Sequence, residues 1–238
     1  MAHVPNINDF VGGLKILLKH SGTVTMEFPH LLQLITQNQF DTIYHEHFSY
    51  LSLYTVQQIF QFHHLTIYDV DELSTHGGSL RIYAKHNDNK EIEISNNVAN
   101  LIEKEKQFGL LNTQGYKGFQ QKANKVKYDF LHFLIEQHTN NKTVVAYGAA
   151  ANGNTLLNYC GIKKDLITFA VDKSPYKQGK YLPANHIPVV DESWITHTKP
   201  NFVVILPWNI KDEIMVQLSY IRQWNAKFVI PIPKLEII

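Results

Sequence analysis

Tyr44, His45, Glu46 and His47 form the centre of the stretch DTIYHEHFSY. Two imidazoles flank one carboxylate, with phenol rings on either side. Such groups can hold a metal ion or move protons. The metalloprotease pattern requires histidines four residues apart on a helix with glutamate next to the first, and here they are two apart. Acid–base work suits the set better: imidazole titrates near neutrality, an adjacent carboxylate shifts it, and a tyrosine hydroxyl can hold a substrate oxygen. With 13 histidines in the chain, a plain structural role at helix ends stays open beside that reading.

Two further stretches carry chemistry. STHGGSLR joins hydroxyls, two glycines, His76 and Arg81, a cradle for phosphate or sugar or simply a hairpin turn. GAAANG, Gly148 to Gly153, has the spacing of a dinucleotide fingerprint with Ala150 at the middle glycine. A Cβ there opposes close approach of a pyrophosphate, so a tight structural turn is the alternative to an NAD(P)-binding oxidoreductase. The aromatic series Tyr44, Phe48, Tyr50 and Tyr54 lacks interleaved basic residues and reads as core and cleft wall. Cys160 reads as a small buried helix residue.

The elements that must position these groups change character along the chain. LKILLK lies in an amphipathic helix ended by Ser21-Gly22, TVTMEF is a strand, LLQLITQ is a short helix, and Thr55 to His63 has helical spacing. The HEH thus falls in a loop between helices. LTIYDVDEL and GSLRIYAKH alternate as an antiparallel pair of strands around STHGG. A helical pattern from Val98 to Gln137 follows, with breaks at Gly109 and Gly115. Beyond it, TVVAYGAAANGNTLLNYCG, LITFAVD, NFVVILPW, KDEIMVQLSYIRQW and KFVIPIP alternate strand and helix, which predicts a parallel Rossmann-like sheet.

Composition narrows the classes. The 238 residues are 44% hydrophobic and carry 22 basic against 21 acidic residues, a net charge of +1. That balance gives no footprint for nucleic acid or an anionic membrane. One cysteine excludes an internal disulfide framework or a multi-thiolate zinc site. No apolar run reaches a membrane span, and the N-terminus lacks a signal-peptide layout, so the cytoplasm is the expected location.

The blocks EFPHLLQLITQNQFDTIYHEHFSYLS, STHGGSLRIYA and YGAAANGNTLLNYCGI, with DLITFAVDKSPYKQGKYLPANHIPV after them, resemble S-adenosylmethionine-dependent C-methyltransferases of the deoxysugar type. The resemblance runs over nearly the whole chain. It implies an α/β fold: the C-terminal half of a class I methyltransferase sheet (residues 1–90, with the YHEH site), a helical connector (91–140) and a Rossmann-like domain (141–238). It also implies a nucleotide-linked keto-deoxysugar, methylated at the carbon beside its ketone. His47 matches the base that removes the proton there, Tyr44 and Glu46 match residues that position it or the sugar, and His3 matches another active-site histidine. Substrate contacts are expected at His76, Gly77, Gly78, Ser79 and Arg81, and at Gly148, Ala149, Asn152, Gly153 and Asn154.

The segment AHVPNINDFVGGLKILLKHSGTVTMEFPH resembles the part of the family that follows the fourth methyltransferase strand. The family's glycine-rich cofactor loop, acidic ribose contact and zinc-binding cysteine cluster then lie outside this sequence. The expectation is a fragment or truncated reading frame with an open sheet edge, acting within a longer enzyme, with a separate chain that supplies the missing strands, or as a noncatalytic nucleotide-sugar-binding module.

Overall fold

The stretch VTMEFP forms strand β1 (Val24–Pro29), preceded by helix α1 (Ile7–Leu17) and followed by the short helix α2 (Leu31–Thr36). Asn6 starts α1 by accepting the Asp9 N–H at 3.0 Å on its side chain. Helix α3 (Leu53–Phe62), strands β2 (Leu65–Leu73) and β3 (Ser79–His86) and helix α4 (Asn96–Phe108) come next. These positions come from a computed structural model that describes all residues, Met1–Ile238.

Strand β3 lies between β1 and β2 and runs antiparallel to both, so β1 and β2 are the two edges of this sheet. The predicted β2–β3 pair is present, with an irregularity between Ile67 and Asp69. Alternation supplies the buried face: Ile67, Leu80, Ile82 and Ala84 join Val56, Phe60, Val98 and Leu101 in one core.

The second sheet follows helix α5 (Phe119–Thr139). Its strands are β4 (Val144–Tyr147), β5 (Ala170–Val171) and β6 (Val189–Val190), with helix α6 (Ala151–Cys160) after β4. Helix α7 (Ser193–Thr198), β7 (Phe202–Ile205), helix α8 (Lys211–Gln217), β8 (Lys227–Ile230) and β9 (Glu236–Ile237) complete it. The order is β6-β5-β4-β7-β8-β9, parallel except for β9. Strands buried on both faces read as apolar runs, and Val145, Val203, Ile205, Phe228 and Ile230 are enclosed in this core. The chain is therefore α/β with mixed sheets, compatible with a methyltransferase-like fold.

The chain folds as two units. One comprises Met1–Gln37 with His45–Phe119, the other Asn38–Tyr44 with Gln120–Ile238. The second unit thus includes a short segment taken from the middle of the first. No helix is long and apolar enough to cross a membrane.

Candidate functional site

His47 stands in the irregular segment after a 3-10 turn at Phe40–Thr42 and before the start of α3. Ala2 fixes that segment: its carbonyl accepts the N–H of Phe48 at 2.8 Å and of Ser49 at 3.3 Å. The neighbouring residue His3 thereby comes to the HEH. Its ring stacks on that of His47, centroids 4.9 Å apart and planes 11° from parallel, while Tyr50 meets His47 edge-on at 6.1 Å. Two histidines more than forty positions apart in the chain are brought face to face. His3, His45 and Glu46 are exposed and His47 is half-buried, so these groups are open to a solute. No three His, Cys, Asp or Glu side chains are grouped so as to hold a metal ion.

Tyr44 belongs to the other unit, through the segment Asn38–Tyr44. That segment is firmly held there. Asn38 donates to the carbonyl of Lys122 at 3.2 Å, and Phe40 packs against Tyr159 with centroids 4.9 Å apart. Asp41 accepts the indole N–H of Trp208 at 2.7 Å on Oδ2. Burial is the largest influence on Asp41, raising its carboxyl to about 7. Trp208 pulls against that rise, as does the Asn152 side chain. Asp41 sits inside the quoted motif, but a carboxylate in a polar loop reads as solvated, and only packing shows it to be buried.

The STHGGSLR stretch forms a 3-10 turn, Thr75–Gly77, between β2 and β3. His76 has φ 54° and Gly78 has φ 122°. A Cβ on Gly78 would lie 2.6 Å from Cγ of Gln33, so the turn sits directly on α2. Ser79 is buried and spends its hydroxyl on the carbonyl of Thr75 at 3.0 Å. Arg81 donates to Glu27 at 2.9 Å, and the Thr75 hydroxyl donates to the other oxygen of Glu27 at 2.6 Å. These bonds, Thr75 first, hold the Glu27 carboxyl below its usual range. Arg81 is thus a paired cation. Glu27 had no local signal in the sequence, and its part follows from the β1–β3 register that sets it opposite Arg81.

In the second unit, Gly148 directly follows β4 with φ 95°, and a Cβ there would lie 2.5 Å from the Pro207 ring. Gly153 packs its bare face on Leu206, where a Cβ would be 2.8 Å away. The Ala149 N–H goes to Asp172 Oδ2 at 2.8 Å, and Asp172 also takes the Ser174 N–H and the Lys177 ammonium. Burial alone would raise the Asp172 carboxyl, but these donors outweigh it and the group lies below its usual value. Asn154 accepts from Asn158 on its backbone carbonyl at 2.9 Å and stands 3.5 Å from the Asn185 amide, while Asn152 lies in the first turn of α6.

Beside this turn, where the chain reverses direction across the sheet between β4 and β7, is a hollow of about 280 Å³. Tyr147, Gly148, Asp172, Pro207, Glu213 and Gln217 line it. Such switch points are where open α/β sheets hold ligands.

Comparison with known proteins matches the sequence to a family. Residues 74–233 match the family described as the C-methyltransferase C-terminal domain. Over 237 residues, the whole of the chain, the sequence is 32% identical to the C-methyltransferase NovU of Streptomyces niveus. The chain spans 56% of the length of that relative.

Proposed function

The chain belongs to the C-methyltransferase family, and from that premise we propose that it serves methylation of a carbon in a nucleotide-linked keto-deoxysugar, with His47 as the base. The observation that carries this reading is the stack of His3 on His47 at 4.9 Å, which joins two histidines from distant segments at one exposed place. A C–H bond is acidic enough to break near neutral pH only beside a carbonyl, and then only with a base of matched pKa and a donor to the forming oxyanion. Imidazole meets the first need. In this reading His47 takes the proton from the carbon beside the ketone, His3 faces the enolate oxygen, and Tyr44 and Glu46 orient the imidazole or the sugar.

S-adenosylmethionine supplies an electrophilic methyl group when bound. The glycine turn of the second unit does not fit it: Asp172 already takes the Ala149 N–H, and Pro207 fills the space at Gly148. No other residue here is assigned to that group, and the chemistry performed by the chain's own residues ends with the enolate.

Contacts to the substrate are assigned to His76, Gly77, Gly78, Ser79 and Arg81 in the first unit and, separately, to the side chains of Asn152 and Asn154 in the second, where the backbone at Gly148 and Ala149 is already taken by Pro207 and Asp172. Arg81, already paired with Glu27, suits neutral hydroxyls better than an unshielded phosphate. The same facts weigh against an NAD(P) oxidoreductase. The hollow of about 280 Å³ is small for a dinucleotide. A soluble sugar nucleotide as substrate fits action in the cytoplasm.

One observation favours a second reading. Strand β1 is an edge of its sheet, a place where further strands could pair. The chain would then bind the nucleotide sugar and require a separate polypeptide for methyl transfer.

Proton abstraction tests the base without any methyl donor. The chain is incubated with a nucleotide-linked 4-keto-deoxysugar in D2O, and deuterium entry beside the ketone is followed by NMR. Exchange above the uncatalysed rate that vanishes in His47→Asn supports the base. Binding of the sugar nucleotide with no catalysed exchange favours the binding module, and undiminished exchange in the variant sinks the assignment.

A further inference from the structure

We propose that Glu105 is a positioning residue for the histidine-bearing loop, closing the neck of that loop at both ends and so fixing where His47 stands. The proposal rests on the reading of His47 as the base.

The loop leaves the sheet at His30, directly after β1, and returns at Leu51 before α3. One backbone bond draws its ends together, from the Leu31 N–H to the Leu51 carbonyl at 3.0 Å, while the His30 N–H is anchored on the Gly78 carbonyl of the β2–β3 turn at 3.0 Å. Between those ends lie His45, Glu46 and His47, and the Asn38–Tyr44 segment that packs with the other unit. Everything proposed as catalytic except His3 is therefore carried on one excursion of chain.

Glu105 reaches that neck from α4. One oxygen accepts from His30 Nε2 at 2.8 Å and from the Leu53 N–H at 2.6 Å, and the other accepts the Tyr54 N–H at 2.9 Å. His30 belongs to the outgoing end, Leu53 and Tyr54 to the returning end. Both side chains are buried, His30 at 1% and Glu105 at 0% exposure. The first turn of α3 presents N–H groups that no residue within the helix can accept. Glu105 takes two of them, and the Ser52 hydroxyl takes that of Thr55 at 3.1 Å. Helix capping alone needs neither a carboxylate borrowed from another helix nor a bond to His30. The contact with His30 is what ties the start of the loop to its finish.

A carboxylate at full burial is costly unless every acceptor site is used, and here three donors converge on two oxygens. Glu105→Gln keeps the shape but turns an N–H2 toward a donor, so one end of the neck loses its partner. Displacement of a catalytic group by an ångström lowers turnover by about 100-fold with little effect on binding.

The test pairs hydrogen–deuterium exchange of backbone amides with catalysed proton exchange in the keto sugar, using the whole chain. In Glu105→Gln the amides of residues 45–54 should lose protection while those of β2 and β3 keep theirs, with kcat down about 100-fold and KM within about twofold. His30→Leu removes only the outgoing tie and should show the same pattern more weakly, which covers the case in which the first variant does not fold. Ser52→Ala, which removes the cap on the Thr55 N–H and leaves the three bonds to Glu105 in place, should leave kcat nearly unchanged. Unchanged loop protection overturns the proposal, as does a loosened loop with full kcat. A uniform loss of protection across β2 and β3 overturns it too, since Glu105 would then be a general core contact. A wild-type chain that catalyses no proton exchange overturns the base assignment and the catalytic half of this proposal, while the amide pattern still decides whether Glu105 closes the loop.

Discussion

Asp41 accepts the indole N–H of Trp208 at 2.7 Å from a fully buried position in the second unit. Its carboxyl is raised from 3.8 to about 7 by burial. A folded-state pKa above the unfolded value means that the folded chain binds the proton more tightly. The associated stability is fully present below about pH 3.8 and is lost as pH rises through about 7. Asp41→Asn keeps an acceptor for Trp208 and removes the charge. Denaturant titrations between pH 5 and pH 8 should show wild type losing stability relative to the variant by on the order of 3 kcal/mol, the part of the shift that falls within that window. Parallel pH profiles of the two proteins would show that Asp41 is ionised at no such cost.

Gly148 cannot carry a side chain without moving Pro207, because its φ is 95° and the added Cβ would come within 2.5 Å of the ring. Gly148→Ala should destabilise the second unit by roughly 2 kcal/mol or more. Thermal unfolding checks this, and a change below about 0.5 kcal/mol would mean that the loops after β4 and β7 part freely.

Cys160 is buried in α6, and burial pushes its thiol up to about 12. A thiolate is the reactive form. The native chain should therefore resist an aromatic disulfide reagent at pH 8 and react stoichiometrically only in denaturant. Rapid labelling of native protein would place the thiol at the surface.

Glu27 owes its lowered pKa first to the Thr75 hydroxyl and then to Arg81. Thr75→Val should raise the Glu27 value, read by carbon-detected NMR titration of the side-chain carboxyl. Because the group is near the surface the change in stability should stay below about 1 kcal/mol. A titration curve identical to wild type would remove Thr75 from the cluster.

Much of the architecture was legible because it rests on periodicity. The β2–β3 pair follows from alternation around STHGG, and β4, β7 and β8 from short apolar runs between helical stretches. Val189–Val190 and α7 went unread, since a two-residue strand and a six-residue helix carry too little pattern. The long C-terminal helix expected through Trp224 ends at Gln217 and continues as a 3-10 run, Ser219–Trp224. At the site, the YHEH chemistry stood in the sequence, but the pairing of His3 with His47 depends on the Ala2 carbonyl reaching Phe48 and Ser49. Glu105 sits in the run EKEKQ, which reads as solvated charge. Its signal was positional: Val98, Leu101 and Glu105 fall on one helical stripe, and the first two are core.

The loan of Asn38–Tyr44 from one unit to the other has a consequence for dissection by proteolysis or gene truncation. No single cut yields two complete bodies. A polypeptide of residues 120–238 would lack the acceptor for the Trp208 indole and the ring that covers Tyr159, both supplied by the borrowed residues Asp41 and Phe40. A polypeptide of residues 1–119 would retain those two residues with their partners removed, leaving a buried acid and a phenyl ring newly exposed to water. The sequence is linear, but the folding of the C-terminal unit waits on residues made long before it, and either half expressed alone would be expected to aggregate or to need the other for recovery.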